Sequence, residues 1–239
     1  MTTALIVGIV EIVVGMVAIA MAMIHAQNLK SIVETSSTRY LADFPSYLSN
    51  IAEFLEKATA SIVIFCDFPA YGRFSSLQAF TDYKIVLERK RGAGVPVHLT
   101  CLSPTQRALA IQQQFEKSFE KKPKSSAFLK LLKRFLDDYG VATDKPRELS
   151  PARFSELAEE ANTDMIKEVF PRHDCFEVDQ PMHIFFWMID RREAVFSVVS
   201  RSEKALEHGF YTRDARLIEA FEAMRTRYQE EQKVQDREE

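Results

Sequence analysis

Two side chains with catalytic potential, His183 and Asp190, bracket the short apolar segment IFFWMI. At the two-residue period of a strand, His183, Phe185 and Trp187 share one face. A buried strand with one hydrogen-bonded histidine is the commoner meaning of such a pattern. The alternative is an aromatic pocket with a single polar group, which suits a neutral or base-like ligand better than a bare phosphate. We predict His183 and Asp190 as candidate catalytic residues, and Phe185 and Trp187 as ligand contacts.

The spacing of this segment resembles a degenerate form of the phospholipase D superfamily motif, His-x-Lys-x(4)-Asp. His183 and Asp190 match the histidine and the aspartate, whereas Phe185 stands where the motif has lysine. Ser197 follows on the next predicted strand, where the family often has a serine and then an asparagine, but Val198 takes the place of that asparagine. The resemblance therefore rests on one eroded motif and adds Ser197 to the candidate ligand contacts.

The resemblance covers about residues 48–227 and implies an α/β sandwich with a mixed sheet. In the family, one motif histidine attacks phosphorus, a second protonates the leaving group, and the lysine holds the phosphate oxygens. One motif in this chain implies that an active site would need a homodimer. Loss of one preorganised donor costs roughly 10²–10³ in rate, and the ring of Phe185 offers phosphate no charge. We expect no useful phosphodiesterase activity, unless a cation such as Arg191 or Arg192 replaces the lysine.

The elements that must position these residues alternate between helices and strands. Their apolar spacing predicts a helix, a buried strand, a helix and a second strand over residues 45–58, 61–66, 75–90 and 95–102. This order indicates an α/β sheet with parallel pairing. Asp67 and Tyr71 follow the first strand, where ligands often bind in α/β sheets. A polar turn is the commoner meaning of this loop, and we keep both residues as candidate ligand contacts.

An apolar run from Ala4 to Ile24 contains one charged residue, Glu11. As a helix it is long enough to cross a hydrocarbon core of about 30 Å. Lys30 and Arg39 follow the run and no cation precedes it, so we expect a single-pass membrane protein with its N-terminus outside and its larger part cytosolic. A secretory signal peptide is the alternative, but its basic start is missing.

Small residues and Glu11 form one stripe along this run, with Gly8 and Gly15 on either side of the carboxyl. Small residues let membrane helices approach closely, and a carboxyl in lipid needs a partner. We therefore predict the bilayer and a homo-oligomer as partners.

The predicted organisation is a phospholipase D-like α/β sandwich with a mixed sheet, preceded by one transmembrane helix. The segments are the transmembrane helix (4–24), a juxtamembrane linker or helix (26–44), the phospholipase D-like domain (45–228) with a helical middle at about 104–170, and a disordered charged tail (229–239). The tail QEEQKVQDREE has one apolar residue, Val234, and cannot bury a face.

Charge and short motifs indicate which partners, metals and cofactors to expect. Lys plus Arg number 31 and Asp plus Glu 34, a net charge of −3 that indicates no bulk attraction to nucleic acid. A local basic cluster from Lys121 to Arg134 is most simply a solvated face, with anionic lipid or nucleic acid as possible partners. No tight ligand pair accompanies His173, Cys175 and His183, so we predict no metal. Glycine-rich phosphate loops are missing, and we predict no cofactor.

These observations favour a membrane-anchored cytosolic domain that is catalytically degenerate and acts in sensing, binding or scaffolding. One alternative is a membrane-anchored phosphodiesterase, a phospholipase or nuclease, that works as a homodimer through His183. The other is a membrane effector that oligomerises through its transmembrane helix. Hydrolysis that depends on His183 distinguishes the first alternative from the degenerate domain.

Overall fold

The computed structural model describes residues 37–120, 126–141, 145, 148–170, 174–199 and 207–238. The strands are β1 (Thr38–Asp43), β2 (Ile62–Phe65), β3 (Val97–Leu102), β4 (Cys175–Val178), β5 (Ile184–Ile189), β6 (Glu193–Val199) and β7 (Glu207–Thr212). The helices are α1 (Leu48–Leu55), α2 (Leu77–Gly92), α3 (Pro104–Glu120), α4 (Ser126–Asp138), α5 (Pro151–Val169) and α6 (Ala215–Glu238).

The seven strands form one mixed sheet in the order β1-β7-β6-β5-β2-β3-β4. Strand β2 runs parallel to β3, and β3 runs parallel to β4. The pairs β2/β5, β5/β6 and β6/β7 are antiparallel. The expected α/β class with a mixed sheet is therefore confirmed.

Both faces of the central strands are covered, which explains why their sequences are apolar without alternation. On one face, Phe186 of β5 stacks against Phe65 and Phe221, with ring centroids 5.2 and 4.9 Å apart, so α6 covers this side. On the other face, the ring of Tyr71 lies 4.8 Å from that of Trp187. Helices α1 and α2 contribute buried residues to the same core.

Helices α3, α4 and α5 build a second apolar cluster and occupy the segment predicted to be helical. Phe154 of α5 is central to it, because its ring stacks 4.5 Å from Phe115 of α3 and lies 6.1 Å from Phe135 of α4. The side chain of Ser150 caps α5 by accepting a hydrogen bond of 3.2 Å from the backbone of Arg153. Phe68 and Phe74, from the loop after β2, pack against this cluster.

Across the described ranges, no helix combines the length and the apolar character that crossing a bilayer requires. This finding contradicts the prediction of a fold preceded by one transmembrane helix. It equally contradicts the predicted single-pass membrane localisation, with the N-terminus outside and a cytosolic domain. Residues 4–24, on which both predictions rested, lie outside the described residues.

The two ends of the described chain differ from the predicted organisation. Residues 38–43, in the predicted linker, form the edge strand β1, and the backbone N–H of Phe44 donates to the carbonyl of Glu207 at 2.9 Å. Residues 229–238, in the predicted tail, continue α6. Polar contacts hold this end of α6 against the domain. Gln232 is buried, and its side-chain oxygen accepts a hydrogen bond of 2.8 Å from the backbone N–H of Asp179.

Candidate functional site

The aromatic residues of β5 lie in the protein core. Phe185 and Trp187 are 3% and 0% exposed, because helices cover the face that they occupy. His183 precedes the strand and is exposed. The structure therefore separates the predicted aromatic contacts from the predicted nucleophile, with His183 at the surface and the two rings beneath it.

Asp190 lies at the other end of β5 from His183. Seven residues of extended chain separate the two by roughly 23 Å at about 3.3 Å per residue. The Asp190 carboxylate accepts hydrogen bonds from the backbone N–H groups of Thr59, Ala60 and Ser61 at 2.6–3.1 Å, and from the Thr59 hydroxyl at 2.8 Å. Asp190 thus joins the turn before β2 to the turn after β5 and cannot act on the same atom as His183.

The pKa of Asp190 reflects this role. Burial opposes its ionisation, but the hydrogen bonds from Ser61, Ala60 and Thr59 outweigh burial and lower the pKa below the ordinary value. Arg191, next to it, pairs with Glu222 at 3.2 Å at this same end of β5. Neither Arg191 nor Arg192 lies at the His183 end of the strand, where a substitute for the missing lysine would be needed.

The His183 end of the sheet carries a buried cluster of hydroxyls around Glu207. Its Oε2 atom accepts hydrogen bonds from Tyr47 and Tyr71 at 2.5 Å and from Ser197 at 2.8 Å. The hydroxyls of Tyr47 and Tyr71 are also 2.5 Å apart. Burial, and then the charge of Glu207, raise the pKa of both tyrosines. These phenols therefore remain protonated and act as donors to the carboxylate.

Strand register explains how this cluster forms. Ser197 of β6 pairs with Gly209 of β7, two residues beyond Glu207, so all three lie on one face of the sheet. The ring of Tyr47 lies directly on Gly209, where a Cβ atom would come within 2.5 Å of its Cγ. The missing side chain of Gly209 thus lets Tyr47 approach the sheet and reach Glu207.

Asp67 lies beside this cluster, at the carboxyl end of β2. Together with Tyr71 and Glu207 it lines a cavity of about 240 Å³. Burial, and secondarily the nearby charge of Glu207, raise the pKa of Asp67 to about 8. The backbone N–H of Phe68 donates to its Oδ1 atom at 2.9 Å. The structure therefore brings Asp67, Tyr71 and Ser197 together around Glu207, whereas His183 does not line the cavity.

Cationic side chains are scarce around these two carboxylates. Among the described residues that line the cavity, only Arg73 is basic. Its guanidinium pairs with Asp138 at 2.7 Å and lies 5.4 Å from the ring of Phe80 and 5.5 Å from that of Phe135, neither of which lines the cavity. The charge of Arg73 is thus directed away from Asp67 and Glu207, and the cavity has an acidic character.

A second group of candidate ligands consists of Cys101, Cys175 and Glu177, whose ligand atoms lie within 4.8 Å of one another. The buried guanidinium of Arg107 already contacts Cys101 Sγ at 3.5 Å and Glu177 Oε1 at 2.9 Å. The hydrogen bond with Cys175, and burial, raise the pKa of the Cys101 thiol, whereas a metal needs the thiolate. A cation of the protein itself thus occupies this position, and His173 lies outside the described residues.

The predicted basic cluster is described only in part. Lys130, Lys133 and Arg134 are exposed on α4, whereas residues 121–125 lie outside the described ranges. Binding of anionic lipid or nucleic acid at this cluster stays a prediction.

Sequence reasoning missed four residues that build the site, including the central Glu207. Tyr47 falls within the helix predicted over residues 45–58, and its partner Glu207 is 160 residues away. Asn162 of α5 lines the cavity, and its side-chain oxygen accepts a hydrogen bond of 3.0 Å from the backbone of Ala70. Gly209 lies in β7, opposite Ser197. Of these, Gly209 offered a signal, since glycine inside a strand often marks a close approach.

No family model matches the chain, and no curated protein does. Similar solved structures include TrmBL2, an archaeal chromatin protein that binds DNA, at 13% identity and a TM-score of 0.42 over 90% of this chain and 61% of that one. They also include Nuc, a phospholipase D family member from Salmonella typhimurium, at 11% identity and a TM-score of 0.39 over 80% of this chain and 93% of that one.

A third similar structure is phosphatidylserine synthase from Haemophilus influenzae, at 11% identity and a TM-score of 0.41 over 81% of this chain and 36% of that one. The chain therefore spans less than two thirds of the chromatin protein and of the synthase. Likenesses of this size bear on the fold alone and carry no functional conclusion for this chain.

Proposed function

We propose that the chain contains a phospholipase D-like domain that does not cleave phosphodiesters and acts instead as a binding module. The observation that carries the proposal is the environment of Phe185, which stands at the lysine position of the motif. Its side chain is 3% exposed and its ring lies 5.8 Å from that of Tyr71, inside the core. A lysine that held a substrate would have to leave this packing.

The charges near the motif histidine support the same proposal. Phosphoryl transfer needs positive groups where negative charge develops. Here the cavity wall contains Asp67 and Glu207. The basic side chain in the described wall, Arg73, is paired with Asp138. A phosphate placed beside the charged Glu207 would be repelled, and Asp67, whose pKa of about 8 leaves it largely protonated at neutral pH, supplies no positive charge. The arrangement therefore favours binding of ligands other than anions.

The test is hydrolysis of bis(4-nitrophenyl) phosphate and of single-stranded DNA by the full chain, with His183→Ala as the matched variant. His183 is exposed, so its replacement leaves the core intact and both proteins should fold alike. We expect the two proteins to release product at the same rate as buffer alone. Turnover by the wild type that is lost in His183→Ala would overturn the proposal.

That contrary result would instead support the predicted homodimeric phosphodiesterase. One structural observation favours this second candidate: His183 is exposed and could face His183 of a second copy. The rate per chain would then rise with protein concentration, because the site would assemble only in the dimer. A rate per chain that is independent of concentration would exclude this route.

A further inference from the structure

We propose that the cavity beside Asp67 and Glu207 binds a small organic cation of the alkylammonium class, an inference that rests on the proposed binding function. The cavity measures about 240 Å³. This volume is several times what one water molecule needs, so a compact ligand of several non-hydrogen atoms fits in it.

Aromatic rings make up much of the wall. They come from the loops before α1 and after β2 and from helices α3 and α5: Phe44, Phe68, Tyr71, Phe74, Phe115 and Phe154. Ring faces attract an alkylammonium ion through their quadrupole and through contact with its methyl groups. Such walls offer nothing to an anion.

Glu207 supplies negative charge, and Asp67 adds a second negative charge above its pKa of about 8. Asp67 and Glu207 line the same cavity and interact unfavourably with one another. A cation between them would relieve this repulsion, whereas an anion would add to it. Ca²⁺ or Mg²⁺ is a poorer occupant, because each takes six or more oxygen ligands and the wall is largely aromatic. The charge and the rings together favour an organic cation.

The proton on Asp67 couples binding to pH. The groups that face it are Glu207 of β7, Tyr71 in the loop after β2, and the thiol of Cys66. Helices α3 and α5 contribute Gln114 and Asn162 to the cavity, which do not titrate. A bound cation favours the ionised carboxylate, so Asp67 releases its proton on binding. Affinity should therefore rise with pH up to about 8 and then level off.

The experiment is calorimetric titration of the full chain with tetramethylammonium chloride, whose charge does not depend on pH. Its neutral counterpart is tert-butanol, and inorganic phosphate is the anionic probe. At about pH 9 we expect tetramethylammonium to bind at least roughly tenfold more tightly than tert-butanol. We expect its affinity to fall roughly tenfold between about pH 9 and pH 6.

The matched variants are Asp67→Asn, which should weaken binding and abolish its pH dependence, and Asp82→Asn as control. Asp82 is an exposed carboxylate on α2 that lies outside the cavity, so its replacement should change nothing. Thermal melting shows whether Asp67→Asn is folded, and Glu207→Gln provides a second variant that keeps an acceptor for the hydroxyls. Weaker binding in either folded variant supports the site.

The remaining outcomes overturn the inference. Equal affinity for tert-butanol would mean a neutral apolar cavity, and binding of phosphate would mean an anion site. No binding of tetramethylammonium at either pH would also exclude the cation site. None of these results produces hydrolysis that depends on His183, so failure of this inference is distinguishable from failure of the proposed function.

Discussion

Two aspartates that follow the central strands β2 and β5, at opposite ends of the strands, show how differently the protein uses the same side chain. Asp190 accepts hydrogen bonds from the backbone N–H groups of Thr59, Ala60 and Ser61 and from the Thr59 hydroxyl. These bonds lower its pKa despite its burial. Asp67 faces a cavity beside Glu207, and burial raises its pKa to about 8. The first carboxylate is committed to structure, whereas the second remains available for a ligand.

The difference also separates the two halves of the motif resemblance. The histidine and the aspartate match the family spacing, yet that spacing places them at the two ends of one strand. The polar chemistry near His183 comes instead from Asp67, Glu207 and two tyrosines, on other elements. The hydrogen bonds of Asp190 give it a structural role, and a catalytic role for it stays a prediction.

The largest effect should come from removing the structural carboxylate. Asp190→Ala leaves the turn at Thr59–Ser61 without its acceptor, and alanine tolerates a φ of 52° poorly. We expect a loss of about 3 kcal/mol in the free energy of unfolding, measured by urea denaturation with Trp187 fluorescence. Asp190→Asn, which keeps one acceptor and accepts this φ, should lose less. An Asp190→Ala protein as stable as the wild type would show that the hydrogen bonds to Asp190 do not stabilise the fold.

The next effect concerns the close approach of the Tyr47 ring to Gly209. Gly209→Ala places a Cβ atom against the ring of Tyr47, so the ring must move and its hydroxyl bond to Glu207 is strained. Overpacking of this kind costs about 2 kcal/mol. Gly92→Ala is the control, because no atom lies within 4 Å of its added Cβ, and it should not destabilise the protein. Equal stability of the two variants would contradict the packing of Tyr47.

A smaller effect is expected from the hydroxyl of Tyr71. Tyr71→Phe removes one donor to Glu207, while Tyr47 and Ser197 continue to donate. We expect a loss of about 1.5 kcal/mol in the free energy of unfolding. Tyr139→Phe removes an exposed hydrogen bond to Asp164 and should cost less than about 0.5 kcal/mol. Equal losses in the two variants would contradict the larger contribution expected of the buried hydrogen bond to Glu207.

The last effects are not losses of stability at one pH but pH slopes of opposite sign. The folded pKa of Asp67 lies above its ordinary value of 3.8, so the stability that its protonated form provides is full below that value and is lost as pH rises to about 8. Asp67→Asn should therefore gain stability relative to the wild type over this range, by at most about 1.4 kcal/mol per pH unit.

Asp190 behaves in the opposite sense. Its folded pKa is lowered, so its charge stabilises the fold above the ordinary value of 3.8, and this contribution is lost as pH falls through the folded pKa. The deficit of Asp190→Asn should thus be larger near neutral pH than in acid. Urea denaturation of both variants from about pH 3 to pH 9 checks the two signs. Slopes of the same sign would contradict the comparison.

Much of the fold could be predicted from the sequence because it depends on local signals. The apolar run IVIF predicted β2, and the segment at about 104–170 was predicted to be helical, where α3, α4 and α5 are found. The site was harder to predict because its contacts are long-range. Tyr47, Tyr71, Ser197 and Glu207 meet through strand register, and periodicity does not specify which strands become neighbours.

The errors also have physical reasons. The tail after residue 228 was predicted to be disordered from its polarity, yet Gln232 docks onto Asp179 through hydrogen bonds that a count of apolar residues ignores. The predicted pocket of His183, Phe185 and Trp187 assumed an open sheet face. Helices cover that face, so the two rings are core residues and the histidine alone reaches solvent.

The most direct test of the account is the ionisation of Asp67, followed by the pH dependence of its side-chain carboxyl resonance in ¹³C NMR. We expect a midpoint at about 8 in the wild type, and a lower midpoint in Glu207→Gln because a neighbouring negative charge is gone. A midpoint at or below the ordinary value of 3.8 would mean that burial and Glu207 do not raise the pKa of Asp67. That result would contradict the acidic cavity and the pH-dependent binding inferred for it, whereas the proposed lack of phosphodiesterase activity is tested by His183→Ala.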